Sequence, residues 1–81
     1  MKLTRIASNM TEVELTGDKL VLFSYETPVA ARVDGKIYKT DCRWSRTTSK
    51  HITKWLQLFG PATEVDGEKP QSYFNDLAEG N

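Results

Sequence analysis

One cysteine, Cys42, is too few for an internal disulfide, and one histidine, His51, is too few for a zinc site without carboxylates at a recognisable spacing. The lone thiol points to a reducing compartment, read here as the cytoplasm. No apolar run approaches the ~20 residues that span a bilayer. The start, Met1-Lys2-Leu3-Thr4-Arg5-Ile6 followed by Ser8-Asn9, lacks the apolar stretch of a secretory signal. Net charge is also missing, because eleven basic residues balance eleven acidic ones. With a pI near 6.6, the chain does not have the strongly basic character of a dedicated DNA-binding domain.

What is present suits one small core. The 81 residues are 38% hydrophobic and include two Trp, three Phe and three Tyr. That is enough for one domain over 1–81, but not for a core plus a deep, walled catalytic cleft. Composition therefore favours a binding surface over an enzyme, with no cofactor and no metal.

The pattern is strand-rich first and helical afterwards. Thr11 to Thr16 alternates polar and apolar, as a half-buried strand does. Gly17-Asp18 reads as a two-residue turn. Lys19 to Tyr25 contains Leu20, Val21, Leu22 and Phe23 in succession, which predicts a central strand covered on both faces. Pro28 offers no N–H and should stop the ladder. Val29–Val33 then resumes it, Asp34-Gly35 supplies a hairpin turn with both residues at positive φ, and Lys36–Thr40 returns. Residues 3–6 can add an edge strand.

Ser45 is a good N-cap. Ile52, Trp55, Leu56 and Phe59 follow at helical spacing, and Gly60-Pro61 ends the run. The expected fold is α+β: an antiparallel meander of four strands, or five, over about 3–40. One main C-terminal helix over about 46–59 packs on it, and a loop and short terminal helix fill 60–81. Pro70 should open that short helix, with Tyr73, Phe74 and Leu77 capping the core.

Charge is not evenly spread. Between residues 32 and 54 lie Arg32, Lys36, Lys39, Arg43, Arg46, Lys50 and Lys54 against Asp34 and Asp41 alone. The acids Glu64, Asp66, Glu68, Asp76 and Glu79 gather behind, either as a solubilising tail or as a surface for a basic partner. On the predicted helix, Arg46, Lys50, Lys54 and Gln57 face away from the apolar stripe, with Thr47 beside them. Tyr38, Lys39, Arg43, Trp44, Arg46, Thr47, Lys50 and Lys54 are the candidate binding residues. The cations can take carboxylates or phosphates, and the rings add contact area or stack bases. The hydroxyls from Ser45 to Ser49 either cap the helix or help its free amides hold an anion. No residue is assigned a catalytic role. Asp41, Cys42 and His51 contain the residue types of a thiol–imidazole arrangement, yet Cys42 reads more simply as a small hydrophobe and His51 as a structural residue flanking the helix.

Tyr25-Glu-Thr-Pro-Val-Ala30, Tyr38-Lys-Thr40 and Trp44-Ser-Arg-Thr-Thr-Ser-Lys-His-Ile52 resemble a family of small proteins of unassigned function found in phages and other mobile elements. The similar stretch covers roughly residues 20–57, and Thr-Thr-Ser-Lys-His-Ile is its most specific piece. The resemblance implies a phage-type gene expressed inside a bacterial cell. It also implies a product that engages a host protein or nucleoprotein complex, for instance to inhibit a defence system. It carries no functional residue across. A sequence-tolerant nucleic-acid binder is the alternative, and pairing of free sheet edges leaves a homodimer open.

Overall fold

The computed structural model describes residues 2–43 and 45–79. Six strands form one sheet in chain order: β1 (Lys2–Ala7), β2 (Met10–Leu15), β3 (Lys19–Ser24), β4 (Thr27–Val33), β5 (Lys36–Thr40) and β6 (Gly67–Lys69). The first five are an antiparallel meander, whereas β6 lies parallel to β5. Helix α1 (Arg46–Gln57) bridges β5 and β6 as a crossover, and α2 (Gln71–Ala78) follows β6. The fold is thus α+β, with six strands where four or five were expected, and with the main helix followed by a short terminal one.

The turns obey the local chemistry of their residues. Asp34 and Gly35 both have positive φ, 52° and 82°, as a two-residue hairpin between right-twisted strands needs. The β2–β3 link is a three-residue turn, Thr16 to Asp18, because Leu15 pairs with Lys19. The expected two-residue turn is one residue short. Pro28 does not stop the ladder. It lies within β4 opposite Phe23, where the register slips by the one unpaired residue Val29. A bulge tolerates proline because the missing N–H has no partner waiting for it.

Val21 and Leu22 are both fully buried, and their side chains point to opposite faces of the sheet. Leu22 joins Met10, Val29, Ala30, Ile37, Ile52 and Trp55 under α1. Val21 joins Ala31 and Phe74 under α2, with Leu15, Phe23, Val33, Tyr38, Tyr73 and Leu77 packed around them. The unbroken apolar run in β3 therefore feeds two cores. The short terminal helix does not cap the α1 core; it builds the second one. Fully burying each large apolar side chain stabilises by about 1.5–3 kcal/mol, so neither layer is dispensable in a chain this small.

The acidic segment is part of the fold. Asp66 both donates its backbone N–H to the Ile37 carbonyl and accepts the Ile37 N–H on Oδ2, each at 2.7 Å, which starts the β5–β6 pairing. Gln71 Nε2 donates to the Pro28 carbonyl at 2.6 Å while its Oε1 accepts from Thr40 Oγ1 at 2.8 Å, tying α2 to β4 and β5. Burial pushes the Tyr73 phenol above its ordinary range, and the nearby Tyr38 and Asp34 add to the effect.

Candidate binding surface

Everything on the inner side of α1 is fastened. Ser45 caps the helix by accepting the Thr48 N–H at 3.3 Å. Thr48 is buried, and its hydroxyl shares a hydrogen bond of 3.0 Å with that of Ser24 on β3. Ser24 Oγ in turn shares one of 2.8 Å with His51 Nδ1. One turn further on, Ile52 and Trp55 enter the core, and Trp55 Nε1 donates to Glu12 Oε1 on β2 at 2.8 Å. Among the described residues no buried side-chain polar atom lacks a partner. These bonds place the polar half of the seam as firmly as the apolar half, because an orphaned group there would cost about 1–3 kcal/mol.

The outer side of α1 is consequently fixed in space and free of its own acids. Arg46, Thr47, Lys50 and Lys54 are all exposed. Among the described residues no carboxylate pairs with Arg43, Arg46, Lys50 or Lys54. Lys39 differs, since its Nζ is 3.6 Å from Glu68 on β6. Both partners are about half exposed, so the pair is weak and easily exchanged for another anion.

Two depressions flank the cations. Lys39, Asp41, Cys42, Arg43, Arg46 and Ser49 line part of a concavity of about 560 Å³, which lies where β5, the 41–45 connection and the first turn of α1 meet. Thr40 shapes its floor, its Oγ1 accepting the Cys42 N–H at 3.2 Å. Along the helix, Ser49, Lys50, Thr53, Lys54 and Gln57 line an open groove of about 500 Å³.

Of the eight residues picked out from sequence, Lys39, Arg43 and Arg46 meet at the concavity, and Thr47, Lys50 and Lys54 continue along the helix. Tyr38 is not with them. Its ring lies on the sheet face opposite α1, edge-on to Tyr73 at 6.2 Å, with Lys69 Nζ 5.0 Å from its centroid. Strand alternation separates it from its neighbour Lys39. Trp44 lies outside the described residues. Sequence reasoning missed Ser49 and Thr53 as groove walls, although the steps of four from Ser49 to Thr53 and from Thr53 to Gln57 are legible once the helix is assigned.

Cys42 is exposed at the concavity, while His51 Nδ1 is engaged by Ser24. The Ser24–His51 distance would suit a nucleophile and its base, and Ser24 is only 2% exposed. Among the described residues no three His, Cys, Asp or Glu side chains converge to hold a metal ion, and no helix is long and apolar enough to cross a membrane.

The fold and its surface define a small α+β sheet protein that presents a cationic crossover helix on a molecule with no net charge. The chain belongs to a family of unknown function, DUF8033, which it matches over residues 1–75. No curated protein and no solved structure matches it.

Proposed function

We propose that this chain is a small, non-catalytic, cytoplasmic binding protein of phage or mobile-element type. Its α1 face takes an acidic surface on a host protein or nucleoprotein complex, and occupation of that surface inhibits the host machinery, a defence system being the natural target. The carrying observation is the row Arg46, Lys50 and Lys54, exposed at every fourth residue of a helix whose other side is fastened to the sheet. Such a row attracts and orients an acidic partner before contact, raising the association rate more than the final affinity. Arg43 and Arg46 can each fork onto a carboxylate or phosphate, whereas Lys50 and Lys54 act as point charges. A standard interface of about 800 Å² per partner is a modest share of the 5297 Å² that the molecule exposes.

A sequence-tolerant nucleic-acid binder is the second reading, favoured by the concavity in which Arg43 and Arg46 adjoin the first turn of α1. Two observations weigh against it: Tyr38 cannot stack bases beside these cations, and the chain as a whole carries no net charge.

The test is capture of partners from bacterial lysate, with and without nuclease, by the wild-type protein and by the Lys50→Glu/Lys54→Glu double variant. The double variant should keep its thermal midpoint, since exposed unpaired sites change stability by no more than about 0.5 kcal/mol each, and should lose the partner. Capture that survives both reversals removes the helix face. Capture that vanishes with nuclease, together with oligonucleotide binding that weakens steeply with salt, establishes the second reading instead.

A further inference from the structure

We infer that the docking element on the partner is itself an acidic α-helix, laid into the groove along α1. This rests on the binding role proposed above and adds the shape of what is bound. Side chains four residues apart form ridges on a helix, and helices pack by fitting a ridge of one into a groove of the other. The outer side of α1 carries two such ridges side by side. One is low at Ser49 and Thr53 and rises at Gln57. The other is tall: Arg46, Lys50, Lys54 and then Leu58, whose αR backbone (φ −68°, ψ −22°) continues the helical path. The open groove of about 500 Å³ lies between Lys50 and Lys54 of the tall ridge and the three residues of the low one.

Three properties of that groove select a helix of mixed acidic and apolar character. Its low wall allows close approach, which suits the 8–10 Å axial separation of packed helices. Its tall wall offers aliphatic lysine stems below and ammonium groups above, so it suits a ridge whose apolar bases are flanked by carboxylates. And one turn beyond Lys54 the same ridge carries Leu58, which is 59% exposed and gains from contact with a partner's apolar side chain. The tall ridge spans ~18 Å, or about three turns of a matching helix. A nucleic-acid duplex fits less well. It would set phosphates against Leu58 and, at the Arg46 end, near Asp41 and Glu68.

The probe is a synthetic peptide of about 18 residues, long enough to hold a helix, with Glu and Leu alternating on one face. Its control is the same peptide with one central residue replaced by proline, which breaks the helix. At low ionic strength the wild-type protein should bind the helical peptide at least about ten-fold more tightly than the control. Thr53→Trp fills the groove and leaves every cation in place, so it should bring that ratio close to one. Chemical shifts of the amides of Ser49, Thr53 and Leu58 should move on binding of the helical peptide. Equal affinity for the two peptides, an unchanged ratio in Thr53→Trp, or tighter binding of a duplex oligonucleotide each overturns the inference. The two proposals fail separately: if the peptides bind equally yet Lys50→Glu/Lys54→Glu still abolishes partner capture, the cationic face stands and helical docking falls.

Discussion

Replacing Ser24 by alanine removes one oxygen from the seam between β3 and α1, and its effect can be worked out from two neighbours. Ser24 is 2% exposed and its hydroxyl serves both Thr48, at 3.0 Å, and His51, at 2.8 Å. Its loss leaves the buried Thr48 hydroxyl and the half-buried His51 Nδ1 without that partner, a cost of about 1–3 kcal/mol. In a chain of 81 residues each kcal/mol moves the melting midpoint by about 4–8 °C, so the Ser24→Ala midpoint should fall by roughly 4–24 °C. The informative measurement is a double-mutant cycle with Thr48→Val, followed by urea unfolding. In the Thr48→Val background there is no threonine hydroxyl left to orphan, and removing Ser24 Oγ should cost about 1 kcal/mol less than it does in the wild type. Costs that add to within about 0.3 kcal/mol would refute the reasoning. The two hydroxyls would then be independent, and the bond between them would contribute nothing to the fastening of α1.

Two further outcomes follow from the cores. Trp55→Phe deletes the N–H that Glu12 accepts and leaves part of a fully buried site empty, so urea unfolding should report a loss of about 2–4 kcal/mol, whereas a loss below ~0.5 kcal/mol would mean that the Glu12 bond and the indole volume are dispensable. Tyr73 has a folded-state pKa above its ordinary value of 10.0, so the folded chain holds its proton more tightly than the unfolded chain. Its contribution is therefore intact below about pH 10 and lost as pH rises from there through the folded pKa. The melting midpoint should fall in that alkaline window less steeply in Tyr73→Phe than in the wild type, and parallel pH curves would show that Tyr73 does not carry the effect.

The local parts of this fold were legible in the sequence because local chemistry decides them. Asp34-Gly35 sets its own turn, Ser45 caps its own helix, and the spacing of Ile52 and Trp55 turns that helix inward. What escaped was non-local. β6 is three residues long and shows no alternation; it exists because the Asp66 carboxylate and backbone mimic a strand partner for Ile37, about thirty residues away in the chain. The Pro28 carbonyl beside the bulge is taken by Gln71, which is far from it in the sequence. The position of α2 was, by contrast, implicit. A run such as Leu20 to Phe23 buries both faces only if something covers the second one, and Phe74 with Leu77 was the apolar surface left to do so. For the candidate surface, helical spacing located Arg46, Lys50 and Lys54. The separation of Tyr38 from Lys39 followed from strand alternation, which applies equally to every pair of adjacent strand residues.

Helix α1 has strands paired to each other at both of its ends, and this affects what association must cost. A recognition element on a loose arm loses rotational and torsional freedom when it docks, and that loss subtracts directly from affinity. Here the connection before the helix is held by the Asp41 N–H bond to the Lys69 carbonyl, and the one after it by the Asp66–Ile37 pairing. The freedom was given up during folding. In docking of the kind proposed, the side chains of Arg46, Lys50 and Lys54 are what would remain to be ordered on α1.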